Sequence, residues 1–511
     1  MTTERTSPFR KILIANRGEI AVRIARAARA LGIRVAAVHS EADRDALHVR
    51  VADEAHGCGP APARDSYLRA DRILEIAKAC AADAIHPGYG FLSENPEFAE
   101  QCMAQGISWI GPPAGVIRRM GDKVLARRSM HEAGVPVVPG ATERLTDAEA
   151  VAAAQRIGFP VMVKATGGGG GRGMRAVQTA GELGAALARA RSEAGASFGD
   201  DGVYVEKLIV GARHVEVQLL ADAHGKVLQL FERDCSSQRR HQKLIEEAPA
   251  PGLSPELRER LGAAALRVAR AVGYVSAGTV EFLLAPDGQF YFLEMNTRIQ
   301  VEHPVTEAVT GIDLVEAMIR VAAGEPLGLR QQDIEVRGHA IEARIYAEDP
   351  ARGFLPSPGR LSVFRAPSGP GLRVDAGVEA GAEVTVHYDA LLAKIVACAE
   401  TREAALARLD AALAGFAVAG VRTSIPFQRW LLRQHAFRSG SVDIGFVERS
   451  WPTGGAGPLD PSLRPVAEAA ARAALAGSPG GPEAAVTMRP KVVDVLLAGD
   501  LFSFPREELL P

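Results

Sequence analysis

Phe292-Leu293-Glu294-Met295-Asn296-Thr297-Arg298-Ile299-Gln300-Val301-Glu302-His303-Pro304 is the stretch on which the reading of this chain turns. Every second residue from Glu294 to Glu302 is polar or charged, with Met, Thr, Ile and Val between them. Side chains of an extended chain alternate faces, so Glu294, Asn296, Arg298, Gln300 and Glu302 share one face for as long as the backbone stays extended. The preceding segment, Thr279 to Tyr291, reads as the first arm of a hairpin turning at Asp287-Gly288. A symmetric turn pairs Ala285 with Phe290 and, counting outward, Glu281 with Glu294. Two carboxylates directly opposite on one sheet face, roughly 5 Å apart at Cβ, repel unless a cation or a proton sits between them. The pair reads as a metal site, with groups that can hold an oxyanion downstream.

The 511 residues allow about three domains with substantial cores. Lys plus Arg number 59 against 61 Asp plus Glu, a formal net charge of -2, which argues against an electrostatic nucleic-acid or membrane binder. Cys58, Cys80, Cys102, Cys235 and Cys398 show no paired spacing, which suits a reducing cytoplasm and gives no zinc pattern. Any metal is then held by oxygen. The segment Met1 to Lys11 is polar, and no long uncharged apolar run occurs elsewhere. A soluble cytoplasmic protein is expected.

Working back to the start, Lys11 to Ala15 is a short apolar strand, Asn16-Arg17-Gly18-Glu19 a turn, and Ile20, Ile24, Ala27 and Leu31 recur at helical spacing. Strands continue to alternate with helices up to about Met120, which implies a parallel, Rossmann-like sheet. The Asn-Arg-Gly-Glu turn lacks the Gly-x-Gly-x-x-Gly fingerprint and reads as a structural turn. His86-Pro87-Gly88-Tyr89-Gly90-Phe91 could equally be a site loop or a rigid turn. Lys164-Ala165-Thr166 followed by Gly167 to Gly171, Arg172 and Gly173 places six glycines in seven residues between strand-like segments. Without Cβ atoms such a run can wrap phosphates with backbone N–H groups while Lys164 supplies a positive charge. It is not a P-loop, and it reads as a mobile phosphate lid in preference to a linker.

Tyr204 to Ile209, His214 to Leu220, Val227 to Phe231 and the 279–296 hairpin form an expected antiparallel sheet that presents polar side chains to one cleft. Glu232 to Lys243 is dense in donors without interleaved aromatics, and Glu246-Glu247 follows at once. It reads as a locally balanced anion site or, equally, as a solvated charged loop. From Gly338 the alternation places Ala340, Glu342 and Arg344 on one face. The expected division is 8–122, 123–337, 338–452 and a tail, 453–511, holding an Ala-rich helix, a candidate strand Val492 to Leu497 and no visible chemistry. Taken together, a glycine lid with a lysine, opposed carboxylates and an Arg/Gln/Glu row describe ATP-dependent phosphoryl transfer to an oxyanion, with Mg²⁺ or Mn²⁺ across the polyphosphate.

At this level the motifs become familiar. Met120-Gly121-Asp122-Lys123, Lys164 with its glycines, Glu232 to Ser236, Gln238 to Lys243 and Glu294 to Pro304 closely resemble biotin carboxylase, the ATP-grasp component of biotin-dependent carboxylases. Ile14 to Ile20, His86 to Asn95, Tyr346 to Pro350 and Phe354 to Gly359 match as well, and the likeness runs in order from about Phe9 to Trp451. The resemblance implies an α/β and α+β architecture: a Rossmann-like N-terminal domain, an ATP-grasp domain and a C-terminal biotin carboxylase domain. It implies that Lys123, Lys164, Gly170, Gly171, His214 and His241 contact ATP, with Glu206, Lys207, Leu208 and Ile209 holding the adenine. It places Glu281, Glu294 and Asn296 on the metal ions. Lys243, Arg298, Gln300 and the Val301 backbone are implied to bind bicarbonate, Glu302 to act as base, and Arg344 to face biotin. None of the nine methionines is followed by the lysine that carrier domains present, so a separate biotin carboxyl carrier protein, carboxyltransferase subunits and a homodimer are the implied partners. Tyr346 to Pro350 and Val386 to Asp389 look more like acyl-CoA carboxylase subunits, as in fatty acid metabolism. A pyruvate carboxylase-type complex and a carboxylate-amine ligase are the alternative enzymes, and a degenerate nucleotide-binding regulatory protein the non-enzyme one.

Overall fold

The computed structural model describes residues 9–141, 143–166, 174–198, 201–451, 464–475, 484–488, 492–497 and 500–509. The glycine run after Thr166, including Gly170 and Gly171, lies outside the described residues. Strands β1 (Lys11–Ile14), β2 (Arg34–Ser40), β3 (Glu54–Gly59), β4 (Ala84–His86) and β5 (Ser108–Trp109) form a parallel sheet in the order β3-β2-β1-β4-β5, as the alternation of strand and helix requires. Helix α1 (Gly18–Ala30) buries Ile20, Ile24 and Ala27 of the stripe seen in the sequence, with the fourth member, Leu31, serving as its half-buried C-cap. Asn16 is a structural hub: its Nδ2 donates to the carbonyls of Pro87 at 2.6 Å and Tyr89 at 2.8 Å. Gly88 between them has φ +65°, and a Cβ there would meet Asn16 Nδ2 at 2.8 Å. The turn that lacks a nucleotide fingerprint therefore braces the His86 to Phe91 loop.

A small antiparallel sheet, β6 (Val161–Ala165), β7 (Met174–Val177) and β8 (Val203–Lys207), follows in the order β7-β6-β8. The strand expected to run to Ile209 stops at Lys207. The largest sheet contains β9 (Arg213–Ala221), β10 (Val227–Arg239), β11 (Gln242–Ala248), β12 (Ser276–Leu284), β13 (Phe290–Asn296), β14 (His339–Tyr346), β15 (Leu372–Ala376) and β16 (Leu391–Ala399). Its order is β13-β12-β9-β10-β11-β14-β16-β15. Backbone pairing of Ile245 with Ala343 and Glu247 with Ile341 carries the sheet straight across residue 338, where the third domain was expected to begin. On β14, Ile341, Ala343 and Ile345 pack into the core with Leu406, Leu409 and Leu413, while Glu342 and Arg344 face the other way. Period-two alternation thus gives this strand one apolar and one charged face.

Two expectations change here. The donor-rich segment from Glu232 is not a solvated loop, because residues 232–238 are buried within β10 and only Arg240 and His241 turn outward before β11 begins. The hairpin turn is one residue tighter than a symmetric count gives, pairing Leu284 with Phe290 instead of Ala285. A bulge between the Phe282–Phe292 and Glu281–Glu294 pairs then restores the offset, so Glu281 does face Glu294. In the tail a helix (Arg464–Leu475) covers an antiparallel sheet of Ala484–Met488, Val492–Leu497 and Asp500–Pro505, around Ala467, Ala471, Val493 and Val495. Among the described residues, no helix is long and apolar enough to cross a membrane.

Candidate functional site

Strand register builds the site before any loop is considered. Glu294 on β13 faces Glu281 on β12, Glu281 faces Glu216 on β9, and Glu216 faces Arg233 on β10. Three carboxylates and a guanidinium therefore form one row across four strands. Arg233 has no exposed surface, and its guanidinium donates to Glu216 and Gln218 at 2.6 Å, Gln300 at 2.5 Å, Thr306 at 3.0 Å and Thr279 at 3.1 Å. Such a buried cation is tolerable because every donor direction is met. Replacing it in Arg233→Met is expected to cost about 3–5 kcal/mol, since Glu216 loses a partner and four neutral acceptors lose their donor; denaturant midpoints would measure this.

Lys243, at the start of β11, reaches over the same row. Its Nζ donates to Glu216 at 2.6 Å, Glu281 at 2.8 Å and Glu302 at 2.6 Å. Burial opposes its charge, but the three carboxylates outweigh that and hold the ammonium protonated far into the basic range. Glu302 is also gripped by Arg344, whose Nη2 donates to it at 2.8 Å while Nε donates to Glu246 at 2.5 Å. Burial alone would raise the Glu302 carboxyl, yet Lys243 and Arg344 bring it below the usual carboxylate range. Glu302 is an ionised carboxylate with a cation on each oxygen. Glu246, by contrast, is pushed up to about 7, first by burial and then by Glu302, against the pull of Arg344.

The other end of the row differs. Among the described residues Glu294 has no hydrogen-bond or ion-pair partner, and burial together with the repulsion of Glu281 raises its pKa. Asn296 donates from Nδ2 to Glu281 at 2.8 Å and accepts at Oδ1 from Arg298 at 2.8 Å. His214 Nε2 lies 3.2 Å from Glu281 and 3.5 Å from Glu216. Burial disfavours its charge, but those carboxylates prevail and push the ring up to about 9. An uncompensated glutamate opposite a second glutamate, with an amide oxygen beside them, is a donor set that suits a hard divalent cation.

Strand β13 ends at Asn296, so the extended row foreseen to Glu302 does not persist. Arg298, Gln300, Val301 and Glu302 instead reach the site through a tight connection into α2 (His303–Thr310). Arg298 Nε donates to Glu94 at 2.9 Å, and Gln300 Nε2 donates to Glu281 at 2.9 Å. These residues line a cavity of about 640 Å³ that also reaches Lys123, Lys164, Glu206, His214, His241 and Arg344. Lys164 is ion-paired with Glu206, which also accepts from Arg127 at 2.7 Å. Lys207, Leu208 and Ile209 do not line it; the Lys207 ammonium is turned to the Gly158 and Phe159 carbonyls at 3.0 and 3.1 Å. The sequence reading missed Glu94, Arg127, Glu216 and Arg233. For Glu216 a signal existed in the alternation His214-Val215-Glu216-Val217-Gln218; for Arg233 none did, since its partners lie 15 to 73 positions away.

Comparison with known proteins adds an independent finding. Three family models match in order: "Biotin carboxylase, N-terminal domain" over residues 8–117, "Carbamoyl-phosphate synthase L chain, ATP binding domain" over 122–330, and "Biotin carboxylase C-terminal domain" over 342–449. Over 442 residues, 86% of this chain, the sequence is 53% identical to a pyruvate carboxylase subunit of Methanothermobacter thermautotrophicus, covering 90% of that protein. It is 51% identical over 442 residues to biotin carboxylase 1 of Bacillus subtilis, covering 98% of it. The solved biotin carboxylase domain dimer of Hydrogenobacter thermophilus 2-oxoglutarate carboxylase, in complex with MgADP, ADP and bicarbonate, superposes with a TM-score of 0.83 at 46% identity. That match covers 86% of this chain and 97% of that one.

Proposed function

We propose, for a chain that belongs to the biotin carboxylase family, that the cavity carries out ATP- and bicarbonate-dependent carboxylation of biotin held on a separate carrier protein. The observation that supports this most directly is Glu302, a buried carboxylate kept ionised between Lys243 and Arg344 beside Arg298 and Gln300. Bicarbonate is a planar oxyanion that carries one proton. Arg298, Gln300, Lys243 and the Val301 N–H can hold its oxygens, while Glu302 takes the proton as an oxygen attacks the γ-phosphorus of ATP and ADP leaves. Carboxyphosphate results and breaks down to CO2 and phosphate; that phosphate accepts the N1′ proton of biotin, and N1′ then bonds to the carbon of CO2 to give carboxybiotin. Glu246 anchors the Arg344 guanidinium at both Nε and Nη2, and the second hydrogen of Nη2, now on Glu302, is the one that would pass to the enolate oxygen of the ureido ring.

Lys123, Lys164, His214 and His241 line the cavity as cations or donors for the nucleotide, with Glu206 toward the base. Gly170 and Gly171 of the glycine run complete the proposed nucleotide contacts; Lys207, Leu208 and Ile209, whose side chains do not line the cavity, would meet the adenine only by the backbone edge at the end of β8. Glu281, Glu294 and Asn296 would hold Mg²⁺ or Mn²⁺. When bound, that ion neutralises charge on the transferring phosphates.

The chain then supplies the first half-reaction of a multisubunit carboxylase, with carrier and carboxyltransferase on partner chains and a homodimer as its own assembly. Acyl-CoA is the acceptor suggested by Tyr346 to Pro350 and Val386 to Asp389. The 53% identity to a pyruvate carboxylase subunit favours a second reading, in which the same half-reaction serves pyruvate. Capture of partners from the native host decides between them. The activity itself is tested by ADP formation: it is expected to require both bicarbonate and Mg²⁺ and to rise with free biotin. Equal ADP formation without bicarbonate would refute the reading, and stimulation by an amine acceptor instead of biotin would indicate a carboxylate-amine ligase.

A further inference from the structure

Strands β14 and β16 place Arg344 directly opposite Lys394, and β15 places Asp375 on the far side of Lys394. Two cations facing each other on one sheet face repel. A fully buried lysine also loses its hydration, so its position is favourable only if its ammonium is fully engaged. Lys394 Nζ donates to the carbonyl of Val301 at 2.5 Å and lies 3.1 Å from Glu19 Oε1, at the start of α1. Arg344, its cross-strand neighbour, holds the side chain of Glu302. The two opposed cations therefore grip consecutive residues, one by its backbone and the next by its carboxylate. Glu342, on the same face, has both carboxylate oxygens without a partner among the described residues, and burial drives it toward the neutral form. It does not compete for the ammonium.

The peptide geometry gives this grip a function. C=O and N–H of a trans peptide point in opposite directions. His303 Nδ1 lies 2.7 Å from the Gln300 carbonyl, which fixes the plane carrying the Val301 N–H. Lys394 fixes the next plane, which joins Val301 to Glu302. With both planes pinned from behind, the Cα of Glu302 is held in place, and the grip of Lys243 and Arg344 on its carboxylate sets where the side chain points.

We infer that Lys394 is a positioning residue for the bicarbonate step: by holding the Val301 carbonyl beside Glu19 it fixes the backbone from which the Glu302 carboxylate meets the oxyanion, next to the Val301 N–H that His303 orients. The inference rests on the bicarbonate reading of the cavity. It makes a prediction that a general stabilising role would not, namely a bicarbonate defect without a nucleotide defect. Lys394→Met is expected to lower kcat/KM for bicarbonate at least about tenfold with ADP affinity within about twofold of wild type. Lys394→Arg is expected to lower it about three- to tenfold, because a planar guanidinium does not place one donor between the Val301 and Glu19 oxygens as an ammonium does.

Steady-state kinetics with bicarbonate varied at saturating ATP, together with calorimetric ADP binding, would test both variants. Wild-type kcat/KM for bicarbonate in either variant overturns the inference. So does a fall in ADP affinity matching the bicarbonate defect, which would make Lys394 a staple of the whole fold. If Lys394→Met fails to bind ADP at all, Lys394→Arg decides by the same criteria. Failure of the wild-type enzyme to require bicarbonate would instead remove the proposed function, and the two failures are distinguishable.

Discussion

Glu302→Gln is expected to cut bicarbonate-dependent ATP turnover by about 10²–10⁴-fold, the range for loss of a positioned general base, while ADP affinity stays within about twofold. The amide is close in shape, so the connection into α2 keeps its course. What changes is charge. Lys243 and Arg344 converge on Glu302 at 2.6 and 2.8 Å, and an amide can satisfy only one of them with its oxygen while turning its NH2 toward the other. The proton acceptor is lost and the oxyanion pocket becomes more positive. Bicarbonate binding therefore survives better than turnover, which separates a base from a binding group. Phosphate release at saturating ATP, with calorimetric titration of ADP, measures both quantities; a fall in ADP affinity as large as that in turnover would move Glu302 from base to nucleotide contact.

Lys243→Met is expected to be the most damaging single change, destabilising the fold by about 3–5 kcal/mol and lowering turnover at least about a hundredfold. Its Nζ is shared by Glu216, Glu281 and Glu302, so one substitution strips a cation from three buried carboxylates at once. The pH dependence carries a clear sign. In the wild type, cations hold Glu216 and Glu281 well below their ordinary range despite burial, so they stabilise the fold above about pH 4.5 and lose that contribution as pH falls. Without Lys243 the burial penalty dominates and the carboxyls rise above the unfolded value. Stability is then greatest at low pH and declines as pH rises through the new values. Melting temperatures of both proteins between about pH 5 and 8 should converge toward the acid end. Parallel curves would mean that Lys243 is not the principal counter-charge of the row.

The paired glutamates were legible in that strand alternation and a turn signal place them on facing strands and on one face. The count succeeded through two cancelling offsets, a tighter turn at Asp287-Gly288 and a bulge before Glu281, and neither is encoded by a pattern of residue types. The parallel N-terminal sheet was legible from the spacing of apolar residues. The fate of Glu232 to Lys243 was not: charge density ordinarily signals solvent, and only partners such as Gln218, Thr279 and Gln300, remote in sequence, make Arg233 a core residue. Lys394 was silent for the same reason, since a lone lysine inside Leu391–Ala399 shows nothing of the carbonyl it meets. Local patterns report faces; the partner that a charged face meets is settled by tertiary pairing.

The continuous pairing of β11 with β14 has a consequence for modularity. A cut at residue 338 would expose two long strand edges, each with a row of backbone donors and acceptors that ordinarily bond to the other. It would also part Lys243 and Glu302 from Arg344, and Val301 from Lys394. The two sequence segments are therefore one unit of inheritance: a crossover near 338 must carry a matched strand edge and a matched set of counter-charges with it.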